Sequence, residues 1–314
     1  MKIGDAIPVK KTVKIKRTGV LRKEWPLHLM LIPGLILTLI FSYAPMVGIL
    51  MAFEKFNPVL GFFKSKWVGW KNFDYIFKMR DFKQVLYNSV YISGMKIVFT
   101  LVVALILALL INEVTSTKLK KVIQTSIFIP YFLSWILLGG IVIELFSLDG
   151  PVNLLLTKLF NIESIFFMTR KDIFPSLLVG TDVWKNMGYQ VVVFLAAITG
   201  INPTLYEAAD VDGATRPQQV WYVTLPGMLP IIVLVSTLSI GSILDAGFEQ
   251  VLVLYNPTVY ATGDILDTFS YRLGLLSGQY APAAAIGLFR SCVSLILVSL
   301  SYWLAWKFTR YRVF

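Results

Sequence analysis

The chain has 314 residues, 56 % hydrophobic and only 15 % charged, with a formal net charge of +11. Soluble domains carry roughly 45–50 % apolar and about 25 % charged residues, so too little charge remains to coat a water-exposed surface, and disorder is excluded for the same reason. One cysteine, Cys292, excludes an internal disulfide and a Cys-rich metal cluster; one histidine, His28, excludes the usual two-histidine zinc site. The composition is that of an integral membrane protein.

Crossing about 30 Å of hydrocarbon takes roughly 20 apolar residues as a helix, and the long apolar runs here lack the period-two alternation of a closed barrel. The fold class is therefore all-α. Residues 1–24 hold eight Lys or Arg (Lys2, Lys10, Lys11, Lys14, Lys16, Arg17, Arg22 and Lys23) and read as a basic tail. Such a tail keeps the N-terminus in the cytoplasm and touches anionic lipid, with no implication of nucleic acid. The first apolar run, 27–53, is too long for a signal-peptide core, and no small-residue cleavage site closes it. With the following loop it makes a segment of 25–83.

Residues 54–84 fall outside in this topology, yet carry seven Lys or Arg against Glu54, Asp74 and Asp81. Their Trp67, Trp70, Phe73, Tyr75 and Phe77 read as a folded loop at the membrane interface or against a partner. The second span is expected at 85–113 and the third at 122–147, separated by Lys118, Lys120 and Lys121. The fourth, 174–201, is interrupted by Asp182, Lys185 and Asn186. The fifth is expected at 229–255 and the sixth at 280–308, followed by a short basic tail (306–314) with Lys307, Arg310 and Arg312. Six spans put both basic termini on one side, the cytoplasmic one.

The polar loop between spans four and five, 202–230, reads NPTLYEAADVDGATRPQQVWYVTLPGMLP. Asn202 suits an N-cap and Pro203 the first helical position, so a short helix through about Asp212 is expected. Gly213 suits a left-handed position after that helix. Thr215 and Gln218 have capping-box spacing, so a second short helix starts there, with Pro226 ending it. Glu207 and Asp210 fall on one face and point away, available to a cationic partner.

This loop resembles the cytoplasmic signature of the permease subunits of binding-protein-dependent ABC importers: EAA, three residues, Gly, nine residues, Ile, one residue, Leu-Pro. Here it reads Glu207-Ala208-Ala209, Gly213, Val223 where Ile is usual, and Leu225-Pro226. The resemblance implies the type I importer fold, with 84–305 as its core and both termini in the bacterial cytoplasmic membrane's inner face. The general likeness of 1–84 points to the carbohydrate-uptake branch. The helix from Glu207 to Asp212, with Asp210, would then be the coupling helix seated in a groove of the ATPase. The implied partners are a second, different but related permease, an ABC ATPase dimer, an extracytoplasmic solute-binding protein and a sugar. ATP and Mg would be bound by the ATPase, with no cofactor or metal in this chain.

The chain has no GxxxxGK[ST] phosphate loop, and one histidine supports no Ser/His/Asp constellation, so it is not expected to be an enzyme. Charges within spans cost about 2.5–3.5 kcal/mol on insertion scales and normally face protein or water. Those here include Lys96, Glu144, Asp182, Lys185 and Arg290, with Lys96 near enough to a span end to snorkel. Trp184, Asn186, Tyr189 and Gln190 combine stacking faces with amides, and Ser242, Asp245, Glu249 and Gln250 add polar groups on span five. Together they are the substrate-path candidates. Tyr131 and Trp135 read as packing or lipid-interface residues. A permease for a non-sugar solute and an ion-coupled carrier are the alternative readings; the second would tend to show repeated halves.

Overall fold

The computed structural model describes residues 17–309, so Lys2, Lys10, Lys11, Lys14, Lys16, Arg310 and Arg312 of the basic tails lie outside the described residues. The described residues up to Leu50 form one unit and those from Met51 a second. In the first, α1 (Arg17–Thr38) contains Pro26 and Pro33 and passes into a π-helical turn, Leu39–Tyr43, and a 3₁₀ stretch, Ala44–Phe53. The π-helical turn closes with the Ala44 N–H bonded back to Leu39 O, directly before Pro45, which has no backbone donor. The run Trp25–Phe53 is long and apolar enough to cross a membrane.

The second unit opens with a two-stranded antiparallel ribbon, β1 (Glu54–Lys55) and β2 (Lys66–Trp67), with Glu54 opposite Trp67. Next come α2 (Lys71–Lys78) and the long α3 (Arg80–Asn112). The loop expected to fold does so. Asn72 Nδ2 donates to Ala52 O and Glu54 O, both at 2.9 Å, and α2 buries Phe73 and Ile76 against Phe82, Val85, Leu266 and Phe269.

The third span is not one helix. α4 (Thr117–Phe128) with a 3₁₀ turn to Phe132, and α5 (Trp135–Leu145), meet at 105°. Pro130 supplies no donor, Leu133 is extended (φ −78°, ψ 139°), and Ser134 Oγ accepts the Leu137 N–H at 3.4 Å, starting a new helix. α6 (Pro151–Phe160) follows.

α7 (Phe174–Thr199) runs unbroken through Asp182, Lys185 and Asn186. The break supplies the reason for one of these charges. Its carbonyls lack helical donors, and Lys185 Nζ donates to Tyr131 O at 3.0 Å and Leu133 O at 2.5 Å.

The loop helices α8 (Pro203–Val211) and α9 (Arg216–Gln219) come next, then a π-helical turn, Val220–Thr224, and α10 (Leu225–Gly241). Pro226 does not end the second short helix: residues Arg216–Gly241 form one continuous membrane-length helix. The widened turn, with Leu225 N–H bonded five residues back to Val220 O, makes room for a residue without a donor.

The fifth span also ends early. Gly241 terminates α10, the chain turns through Ser242–Gly247, and α11 (Phe248–Leu254) is separate, with Val251 and Leu254 buried. Its apolar residues mimic a span continuation but pack against Ile92, Phe174 and Leu178. α12 (Tyr260–Gly263) and α13 (Leu266–Tyr271) lead to α14 (Tyr280–Thr309), the last span. By length and composition four helices can cross a membrane, or six if each bent pair counts as one span.

Candidate translocation site and coupling loop

Asp182, Asn186, Tyr189 and Gln190 recur at helical spacing on one face of α7, and Ser93, Lys96 and Thr100 do so on α3. With Tyr131 from the α4–α5 break, Ser239 of α10 and the turn holding Ser242 and Asp245, these faces enclose a polar cavity of about 330 Å³.

Lys96 does not snorkel. It is buried within α3, where its Nζ donates to Ala246 O at 2.6 Å and to Gln250 Oε1, and lies 3.5 Å from Asp182 Oδ1. Gln250 is buried beneath the cavity, donating through Nε2 to Leu178 O and Thr181 Oγ1, both at 2.8 Å. One ammonium therefore ties α3, α7 and the start of α11 together. Gly247, left-handed at φ 86°, lets the chain turn tightly there, and an added Cβ would stand 3.1 Å from Lys96 Nζ.

Asp245 and Arg290 pair between elements, Oδ2 to Nη2 at 3.4 Å, and Arg290 Nη1 also bonds Asp267. Behind this pair Asp264 and Arg272 meet at 2.5 Å, with the Thr268 hydroxyl donating to Asp264 at 2.7 Å. Burial pushes the Asp264 carboxyl above its ordinary range, and its bonds to Arg272 and Thr268 offset part of that.

Across the cavity Tyr189 stacks on Tyr131, centroids 5.2 Å apart. Gln190 Oε1 is buried without a hydrogen-bond partner, an acceptor left for an incoming hydroxyl. Hydroxyls, amides, carboxylates and ring faces converge here, groups that can hold a polar ligand by hydrogen bonding and stacking.

The structure separates two other candidates from this set. Trp184 faces away, lining a mostly apolar cavity of about 450 Å³ with Val142, Phe146 and Leu177. Glu249 is exposed on α11 and lines neither space. Tyr131, read as a packing or interface residue, lines the polar cavity instead. Ser93 and Thr100, which the sequence reading missed, were discoverable from their spacing around Lys96.

The polar loop is built as its local chemistry dictates. Asn202 Oδ1 accepts the Thr204 N–H at 3.1 Å, starting α8 at Pro203. After α8, Gly213 is left-handed at φ 74°, and the Ala214 N–H reaches back to Ala209 O at 2.9 Å, a Schellman closure. The Thr215 N–H donates to Gln218 Oε1 at 2.7 Å, opening α9.

α8 leaves α7 at 68°. Glu207 and Ala208 are exposed on it, and Asp212 is exposed at its C-cap. Asp210 is not simply pointing away: buried Gln219 donates to its carboxylate, and Tyr206 Oη lies 2.9 Å from Thr224 Oγ1. These two bonds brace α8 against the stretch holding Val223, and Leu225 and Pro226 open α10 beside it.

The family model described as "Binding-protein-dependent transport system inner membrane component" matches residues 81–310. Protein LplB of Bacillus subtilis is 40 % identical over 294 residues, covering 93 % of this chain and 92 % of its own length. The polygalacturonan/rhamnogalacturonan transport system permease protein YteP of the same organism is 38 % identical, covering 97 % and 95 %. Among solved structures, a chain of the bacterial alginate ABC transporter, in complex with alginate pentasaccharide-bound periplasmic protein, superimposes with a TM-score of 0.86 at 35 % identity, covering 95 % of this chain and 99 % of that one. The observed fold is thus the type I importer permease fold. The chain belongs to the family of inner-membrane components of binding-protein-dependent transport systems, and is a membrane-embedded transport subunit.

Proposed function

We propose that this chain is one of two permease subunits of an ATP-driven importer in a bacterial cytoplasmic membrane, passing a sugar, as an oligosaccharide or polysaccharide fragment, from an extracytoplasmic solute-binding protein into the cell. Six spans, with both basic tails cytoplasmic, would put the loop 202–230 on the side where ATP is available. The transmembrane core would occupy 84–305, and ATP with its Mg would be held by a separate ATPase dimer. The carbohydrate assignment draws on the transport named for its relatives and on a cavity of hydroxyls, amides and a stacked tyrosine pair.

The observation that carries the coupling role is the braced loop. α8 is fixed to α7 at one end and, through Gly213, α9 and the π-helical turn, to α10 at the other. Both α7 and α10 line the polar cavity. A push on exposed Glu207, Ala208 and Asp212 therefore moves two cavity walls as bodies, whereas a slack loop would absorb it. Closure of the ATPase dimer on ATP would favour the outward-open arrangement by its differential affinity for the two states.

The test is uptake by the reconstituted complex with loaded binding protein. Glu207→Lys and Gly213→Pro should abolish ATP-coupled uptake while membrane insertion is retained. Normal uptake in either variant would overturn the docking role. Binding-protein-stimulated ATPase activity across a panel of sugars tests the substrate class; stimulation by a non-sugar alone would overturn it and leave the coupling role standing.

A further inference from the structure

The loop 54–84 opposes the usual charge bias of membrane proteins, and the structure sharpens the anomaly. Lys55, Lys64, Lys66, Lys71, Lys78, Arg80 and Lys83 are all exposed, and none forms an ion pair among the described residues. Of the loop's three acids, Glu54 is buried opposite Trp67 in the ribbon, and Asp74 and Asp81 are exposed on α2 and α3. Between the lysines the ribbon tip projects Val59, 92 % exposed, and Phe63, 88 % exposed.

Two contacts place this ribbon at the level where spans end. Trp67 and Trp70 pack on Phe53, the last residue of the first apolar run, at 5.5 and 5.4 Å between centroids. Phe56 meets Tyr280, the first residue of the last span, at 6.1 Å. Both tryptophans are more than half exposed, as in the aromatic belts of membrane interfaces.

The tip carries several hydrogen bonds of its own. Asn57 O accepts the Leu60 and Gly61 N–H groups, Asn57 Oδ1 accepts the Val59 N–H at 3.0 Å, and the Ser65 hydroxyl donates to Gly61 O at 2.7 Å. These bonds lower the cost of bringing that part of the backbone into the headgroup region.

We propose that the ribbon 54–67 with the first turn of α2 is a membrane-interface anchor. Val59 and Phe63 dip into the acyl boundary, Trp67 and Trp70 sit at headgroup level, and the lysine rim binds anionic phospholipid of the leaflet on which the loop opens. All four bases of this segment, Lys55, Lys64, Lys66 and Lys71, are lysines, which suit a lipid surface: their apolar stems lie along the interface, whereas protein interfaces are depleted of lysine and enriched in arginine.

The test uses the whole permease–ATPase complex in nanodiscs, with Cys292→Ser and a nitroxide at Val59→Cys or, where that variant assembles poorly, Phe63→Cys. Accessibility to oxygen and to a water-soluble nickel chelate is compared in phosphatidylcholine discs and in discs that also contain phosphatidylglycerol. The label should be oxygen-accessible and nickel-protected when phosphatidylglycerol is present. Each Lys→Gln at Lys64 or Lys66 should raise the phosphatidylglycerol fraction needed for half-protection about fivefold. A label equally open to nickel in both discs would overturn the proposal. So would protection that arises only on adding loaded solute-binding protein, which would make the ribbon a protein-docking element.

Discussion

Replacing Lys96 with methionine keeps the side-chain length and removes the charge. The ammonium donates to Ala246 O and Gln250 Oε1 and lies 3.5 Å from Asp182, so the change strands two buried acceptors and leaves a carboxylate without its cation. Hydrogen bonds to charged groups contribute about 1.5–3 kcal/mol each, and breaking a buried pair costs about 3–5 kcal/mol. Asp182 borders the cavity, where water reaches it, so the lower end applies: about 3 kcal/mol, or roughly 150-fold in the folding equilibrium. A snorkelling lysine in a solvated pair would contribute about 0–1 kcal/mol. Methionine also makes membrane insertion easier, so the yield in membranes should not fall while thermal stability in detergent or nanodiscs should. Adding Asp182→Asn should recover about 1–2 kcal/mol, measured as non-additivity in a double-mutant cycle. Lys96→Met within about 0.5 kcal/mol of the parent, with additive effects in the cycle, would refute the idea that one buried ammonium holds the cavity wall.

At Gly213 an added Cβ meets nothing within 4 Å, so Gly213→Ala should cost only the left-handed backbone penalty of about 1–2 kcal/mol, and Gly213→Asn less; ATP-coupled uptake should rank Asn above Ala above Pro. Arg290→Met strands Asp267, a half-buried acid already held above its ordinary pKa by burial, and should cost about 2 kcal/mol in thermal unfolding, with Arg290→Lys intermediate. Tyr189→Ala removes the partner of Tyr131 and should weaken apparent sugar affinity several-fold in ATPase stimulation, consistent with about 0.5–1.5 kcal/mol for a stacked pair. Trp184→Ala, whose ring lies in the separate apolar cavity, should leave that affinity unchanged.

Much of this molecule is legible from composition and spacing because the bilayer permits few solutions. Apolar runs of span length must be helices, and the positions of α3, α7 and α14 follow. The signature loop is legible for a different reason: capping is local chemistry, so Asn202, Gly213 and the Thr215–Gln218 pair announce their geometry within a few residues. What misleads is apolarity without context. Residues 248–254 read as the end of a span yet form a buried helix inside the protein, and Pro226 reads as a stop yet sits comfortably after a π-helical turn. The break at Leu133–Ser134 was invisible because the donor that makes it tolerable, Lys185, is 52 residues away in sequence.

The sequence alone determined that the chain is helical and membrane-embedded, with a capped polar loop of ABC-importer character, since hydrophobic length and helix caps act over at most a few turns. Which polar groups meet was decided only by the tertiary structure. Tyr131 joined the cavity, Trp184 left it, and Lys96 became its clamp, because partners separated by dozens to more than a hundred residues are chosen by helix packing. The surplus charge noted at the outset divides the same way. The tail lysines are readable from the sequence as an expected topology signal, while the proposed role of the ribbon 54–67 rests on folding, which buries Glu54 and packs Trp67 against Phe53.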